Sequence, residues 1–224
     1  MKSGRSFAHE LLLAAARRDV PARPIARASE EELNEALLVA ARHGVAGWVA
    51  RELKPVPHLP PAMKVRLQAV AAKVAGNHHR RVNDAHAALR VLSAAKIPAV
   101  ALKGPVLVER YYRDPSLRSY TDVDLLVEPR RLRDAIGSLE EAGFGLLDAH
   151  WRPIISDLRG QVHFRSGRDP SIDLHWHLVG DARKRATFGM SIDEMWDAAE
   201  PSTLAGEPCL ELAPGDELAY VCLH

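Results

Sequence analysis

Cysteine is scarce. Cys209 and Cys222 are the only two in 224 residues, and both lie near the C-terminus. That excludes a disulfide scaffold and reads as two free thiols in a reducing, cytoplasmic compartment. An excess of charge of either sign is also missing, because 30 Lys and Arg face 29 Asp and Glu for a net charge of +1. A nucleic-acid-binding domain usually shows a clear basic surplus, so the charge carries no strong nucleic-acid signal. The apolar run Leu11 to Ala16 is shorter than a signal-peptide core, follows His9-Glu10 and ends at Arg17-Arg18 without a cleavage site. It reads as an amphipathic helix rather than a leader or membrane anchor. What the chain does have is 47% hydrophobic residues, enough for a sizeable core in one domain with a helical extension or in two small domains.

Helical signals dominate the first part of the chain. The pattern predicts a helix from Ser6 to about Arg18, ended by Pro21 and Pro24. A second helix has Ser29 as N-cap with Glu32 three residues on, Gly44 as its stop, and an apolar face of Leu33, Ala36, Leu37 and Ala40. Val45 to Leu53 makes a third, with Trp48 in the core. Pro55, Pro57, Pro60 and Pro61 form a stiff connector. Ala62 to Lys96 then reads as one long helix, or two joined near Gly76-Asn77, burying Val65, Ala69, Ala72, Val82, Leu89 and Leu92. The run His78-His79-Arg80-Arg81 reads as a solvated basic face, since adjacent histidines point about 100° apart on a helix. His79 and Asn83, at i and i+4, are placed to line a cleft.

Residues 97 to 129 carry the chemistry. Ile97 to Leu102 has the length and branching of a buried strand, broken at Lys103-Gly104, and Pro105 suits the first position of a helix running to about Tyr112. Backbone N–H groups at such a strand end suit a phosphate. Tyr120 to Val127 gives a second strand, and the i, i+2 spacing of Asp122 and Asp124 puts both carboxylates on one face, roughly 6 to 7 Å apart at the backbone. Asp-x-Asp alone is common as a solvated strand edge. Here the strand continues into Leu125-Leu126-Val127, and a third acid, Asp173, recurs in the strand-like run 171 to 178. Three acids on adjacent strands suggest two metal ions.

Between these pieces, Pro129 and Arg130 open an amphipathic helix burying Leu132, Ala135, Ile136 and Leu139, long enough for a crossover between parallel strands. Phe144 to Trp151 and Gln161 to Arg165 read as strands, and Gly167-Arg168-Asp169-Pro170 as a hairpin turn. By alternation Asp173, His175 and His177 share one face, with Ile172, Leu174, Trp176 and Leu178 on the other. His-x-His would also suit zinc, but no third nitrogen or sulfur ligand has a matching spacing, and a carboxylate-rich set suits Mg2+. His175 is placed as a neighbour of the substrate or as a hydrogen-bond partner of an acid. Further on, Ser191 to Trp196 reads as a short helix, Pro201 to Pro208 as a loop, and Ala213 to Glu217 as the start of a last helix.

Leu102-Lys103-Gly104, Tyr111-Tyr112, Asp114-Pro115, Arg118, Asp122-Val123-Asp124-Leu125-Leu126-Val127, Gly143-Phe144 and Asp173-Leu174-His175-Trp176 together resemble the uncharacterised nucleotidyltransferase family of the polymerase-beta-like superfamily, over roughly residues 90 to 180. The resemblance implies an α/β (α+β) core with a small mixed sheet flanked by helices at 96–180, behind an α-helical N-terminal region at 1–95 and before a C-terminal segment at 181–224. It also implies transfer of a nucleoside monophosphate from an NTP with two Mg2+ ions, or Mn2+, held by the catalytic acids Asp122, Asp124 and Asp173. Lys103, Gly104, Arg118 and His175 would then meet the nucleotide. The acceptor is left open between small molecule, protein and RNA. Many members of the superfamily carry Gly-Gly or Gly-Ser where this chain has Lys103-Gly104-Pro105, and relatives usually continue with further helices, so a fragment of a longer protein is one reading. A non-catalytic nucleotide-binding or protein-interaction module that keeps the fold is the alternative.

Overall fold

A capping box sets the helix that starts after Ser29. In a computed structural model describing residues 6–19, 25, 27–148, 160–167, 169–181, 184, 185, 187 and 191–223, the helices Phe7–Ala16 (α1), Glu30–Arg42 (α2) and Ala46–Leu53 (α3) stand where the sequence places them. Pro21 and Pro24 fall outside the described residues. Ser29 Oγ accepts from Glu32 N at 3.1 Å while Ser29 N donates to Glu32 Oε2 at 2.8 Å, and Gly44 closes the far end of α2 at φ +69°. The buried face of α2 is Leu33, Ala36, Leu37 and Ala40, as the spacing requires, and it joins α1, α3, Met63 and Leu67 in one apolar cluster. Trp48 packs against that cluster and donates Nε1–H to Ala15 O at 3.0 Å.

Gly47 decides how closely α3 approaches the chain at Ser116, because a Cβ built there would lie 1.8 Å from Ser116 O. In an open helix Gly→Ala gains about 1 kcal/mol of helix propensity. Here overpacking against backbone, costing about 1–3 kcal/mol or more, outweighs that gain. Gly47→Ala should lower the melting temperature by several degrees in thermal denaturation, and an unchanged or raised value would show that the contact relaxes freely.

Pro61–Ala94 (α4) is one unbroken helix of 34 residues. Its buried stripe runs through Met63, Leu67, Val74, His78, Arg81, Ala85, Ala88, Leu89 and Leu92. Three expected core positions, Val65, Ala69 and Ala72, are exposed instead, and Val82 is only half-buried. Starting the stripe two residues past Met63 turns it about 200° around the axis, onto the solvent side. The same phase corrects the basic run: His79 and Arg80 are exposed, but His78 and Arg81 are buried. His78 Nδ1 lies 2.9 Å from Tyr120 Oη, and burial, then the neighbouring His79, lowers its pKa. His79 and Asn83 are both exposed.

The chain divides into two compact units, residues 1–79 with 108–120 and residues 80–107 with 121–224. The second holds a seven-stranded mixed sheet in the order β3-β4-β5-β2-β1-β7-β6. Its strands are Val100–Leu102 (β1), Val123–Leu126 (β2), Gly145–Leu146 (β3), Gln161–Ser166 (β4), Asp169–His175 (β5), Glu200–Leu204 (β6) and Glu207–Glu211 (β7). β1 leads through Lys103 into a short helix, Gly104–Leu107 (α5), continued by a π turn over Val108–Tyr112. After β2, a 3-10 turn at Pro129–Arg131 opens Leu132–Glu141 (α6), which buries Leu132, Ala135, Ile136 and Leu139 as expected. β2 pairs antiparallel with β1 and parallel with β5, while β1 pairs parallel with β7. One sheet face packs Ala101, Val123, Leu125, Ile172 and Leu174 against Leu89 and Leu92 of α4 and the apolar side of α6. The other face packs Val100, Leu102 and Leu126 against Met195 of Ile192–Asp197 (α7) and Tyr220 of Pro214–Cys222 (α8).

Three local expectations change. Residues 201–208 form a β hairpin rather than a loop, with Ala205 and Gly206 at φ +55° and +82°, the positive values that a two-residue turn between twisted strands demands. Pro201 is compatible because β6 is the sheet edge. The strand expected over 144–151 is a two-residue β3, with 149–151 outside the described residues. Because β5 ends at His175, Leu178 joins the cluster around Tyr220 instead of sharing a core with Ile172 and Leu174.

Candidate functional site

On the face shared with Tyr220, register brings acids together. Asp124 of β2 pairs directly with Asp173 of β5 and, on its other side, with Leu102 of β1. Asp173 pairs onward with His163 of β4, giving a row Asp124, Asp173, His163 across three strands. His175, two residues after Asp173, reaches back: its Nε2 lies 2.9 Å from Asp124 Oδ1. Lys103 closes the open side with Nζ at 3.5 Å from the same oxygen and 4.9 Å from the Tyr220 ring centroid. Lys103 and Gly104 hold φ of +36° and +25° at the strand end. A lysine in that region is uncommon, and strained backbone of this kind collects at functional sites.

A second set of partners holds Asp173. Gln161 Nε2 donates to Asp173 Oδ2 at 2.8 Å and lies 3.0 Å from His163 Nε2. His163 Nδ1 stands 2.8 Å from Asp148 Oδ2, which also accepts from His163 N at 2.7 Å. The result is a chain of polar groups from Asp148 through His163 to Asp173, whose closing distance, His163 Nε2 to Asp173 Oδ2, is 3.8 Å.

The two facing aspartates are electrostatically unlike. For Asp124, burial acts to raise the pKa, but the hydrogen bond and attraction of His175, joined by Lys103, prevail and hold it below the usual carboxylate range. For Asp173 burial also acts to raise the pKa. His163 and His175 oppose that, while the charges of Asp122 and Asp124 add to it, and the carboxyl is pushed up to about 6. Tyr220 is raised by burial and by the same three acids. Such repulsion among like charges falls away when a divalent cation enters. The donors fit one: Asp124, Asp173 and His175 each offer a ligand atom, all within 4.8 Å of one another. Two carboxylates with an imidazole make a donor set for a divalent cation. His175 Nδ1 is buried and has no hydrogen-bond partner among the described residues.

The structure thus brings Lys103, Gly104, Asp124, Asp173 and His175 to one strand end. Asp122, half-buried, stands outside the 4.8 Å group but near enough to raise both Asp173 and Tyr220. Arg118 lies in the other unit, 6.0 Å from the Tyr112 ring centroid. His177, on the expected face by alternation, is past the end of β5: its Nδ1 accepts from Val179 N at 3.0 Å, and burial, helped by Arg185, lowers its pKa to about 4. Sequence reasoning missed Asp148, Gln161, His163 and Tyr220. A hairpin was visible, but Asp169 and Pro170, read as part of its turn, already belong to β5 and pair with Ser166 and Arg165, so counting back from the expected turn pairs the wrong residues. Between Phe164 and Arg165 the register shifts, leaving Ser171 as an extra residue on β5, and only that bulge sets His163 beside Asp173. Ser171 Oγ accepts from Ser166 N at 3.0 Å.

A mixed sheet with two acids facing across neighbouring strands, beside a tight turn from strand to helix, is consistent with a nucleotidyltransferase domain. The chain belongs to an uncharacterised nucleotidyltransferase family, whose profile matches residues 29–224. Comparison with curated proteins and with solved structures finds no match. No helix among the described residues is long and apolar enough to cross a membrane.

Proposed function

We propose that the protein moves a nucleoside monophosphate from an NTP to an acceptor hydroxyl and releases pyrophosphate, using divalent cations held by Asp122, Asp124 and Asp173. The observation that supports this reading is the facing pair Asp124 and Asp173, with His175 at 2.9 Å from Asp124 and Asp124 paired with Leu102, where β1 turns at Lys103-Gly104. Bound Mg2+ or Mn2+ would supply Lewis-acid stabilisation of the triphosphate and acidify the acceptor hydroxyl. The protein's own groups do the rest. Lys103 and the N–H of Gly104 offset phosphate charge, His175 orients Asp124, and Gln161 with His163 orients Asp173. Asp173 takes the hydroxyl proton as the new O–P bond forms at the α-phosphorus and the bond to the pyrophosphate oxygen breaks. Arg118 carries no step here.

Incubating the protein with Mg2+, each α-labelled NTP and cell extract should release pyrophosphate and label one class of acceptor, whether small molecule, protein or RNA. Pyrophosphate release that continues in excess chelator would oppose the metal-dependent reading. A narrower expectation concerns Lys103, whose side chain is 18% exposed. Lys103→Ala should weaken Mg-ATP binding by about tenfold, the effect of losing one charge-assisted contact, with little change in melting temperature. A large loss of stability at unchanged affinity would make Lys103 a structural partner of Asp124 only.

A further inference from the structure

In the helical unit a separate cavity of about 370 Å³ is lined by Leu12, His43, Val45, Trp48, Tyr112 and Arg118, among others, and among the described residues no carboxylate stands in its wall. Its size falls in the range of small-molecule sites. Trp48 and Tyr112 meet edge to face with ring centroids 6.4 Å apart. Arg118 lies over Tyr112, and its Nε is buried without a hydrogen-bond partner; among the described residues no acid pairs with this guanidinium. Arg51 and Arg18 stand 3.9 and 5.3 Å from the Trp48 ring centroid, and Arg51 is already paired with Glu52 at 2.8 Å. The surroundings therefore hold unbalanced positive charge beside an aromatic wall. A half-buried guanidinium with an unsatisfied N–H is costly unless an acceptor arrives. Its planar fork matches a carboxylate, and one fork balances one negative charge.

We propose that this cavity binds a small monocarboxylate with an aromatic or branched apolar body, the body against Trp48 and Tyr112 and the carboxylate on Arg118. The named residues of the cavity all belong to the helical unit, whereas Asp122, Asp124 and Asp173 belong to the sheet unit. Calorimetric titration of the full chain, without nucleotide or added metal, tests it with 3-phenylpropionate and its neutral counterpart 3-phenylpropionamide. The acid should bind saturably and the amide at least about tenfold more weakly, since only the acid makes the charge-assisted fork. Arg118→Gln should bring the acid down to the level of the amide, and Arg118→Lys should fall between, keeping the charge and losing the fork. Equal binding of acid and amide, or no saturable binding of the acid, overturns the proposal, and both readings use the unaltered protein. Displacement of the acid by Mg-ATP also overturns it, because Arg118 would then serve the nucleotide phosphates. With no metal or nucleotide in the main titration, failure of this site leaves the transfer reaction standing, and failure of the transfer reaction leaves this site standing.

Discussion

Asp124→Asn is expected to lower turnover on the order of 10³-fold or more, the scale lost when a group that meets developing charge is removed from a water-poor site, and to weaken Mg-nucleotide binding with it. Asp124 is held between two basic groups: His175 and Lys103 both address its Oδ1, and it faces Asp173 on the neighbouring strand. Asn keeps the shape and one acceptor oxygen but loses the charge that the two basic neighbours compensate. Those neighbours are then left opposite a neutral amide, so the folded state also loses an interaction. Its carboxyl has a depressed pKa, and a depressed acid contributes stability that is present above the unfolded value and lost as pH falls through the folded one. The variant should therefore melt lower than the parent at neutral pH, with the gap closing in acid. Steady-state pyrophosphate release and melting curves at two pH values report both effects. Activity within tenfold of the parent would remove Asp124 from the site.

Asp173→Asn should behave differently although the two residues face each other. It should retain much of the Mg-NTP affinity yet lose most of the transfer, because its charge is needed more in the transition state than in the ground state. Its effect on the metal-free protein has the opposite sign. Burial, with the charges of Asp122 and Asp124, raises this carboxyl to about 6 from 3.8. An acid with a raised folded pKa disfavours its own ionised form in the fold, so metal-free stability should fall as pH rises between roughly 4 and 6 and stay lower above that window. Asn removes that penalty while still offering an oxygen to Gln161, which now donates to Asp173 Oδ2. Without metal at pH 7 the variant should melt at or above the parent, and saturating Mg2+ should narrow the difference by stabilising the parent more. A markedly lower melting temperature, with nucleotide affinity like that of an inactive surface variant, would make Asp173 a strand residue with a structural partner.

Legibility followed the range of the interactions. The capping box at Ser29 and Glu32, the face of α2, the amphipathic α6 and the alternation that puts Asp173 and His175 together are all set within a few residues, and all were readable. The long helix was readable in extent but not in phase, because its alanine-rich first half gives little contrast between faces and Val65 looks as apolar as Met63. The hairpin at 200–211 was hidden behind Pro201 and Pro208, which an edge strand and a strand end tolerate. Within the site, Lys103 and the acids stood out because strand, turn and carboxylates follow one another in sequence. His163 and Asp148 did not, because their role depends on a bulge at Ser171 that shifts register by one residue. Tyr220 enters from a helix nearly a hundred residues after Asp124, and it packs with Val100, Leu102 and Leu126.

The most direct measurement is calorimetric titration of the full chain with ATP, once with Mg2+ and once with excess chelator, each repeated on Asp124→Asn. Metal-bridged binding at the Asp124 and Asp173 pair predicts saturable binding with Mg2+, affinity at least about tenfold weaker with chelator, and a similar loss in the variant with Mg2+ present. Equal ATP affinity with Mg2+ and with chelator, or an affinity that Asp124→Asn leaves unchanged, would contradict it.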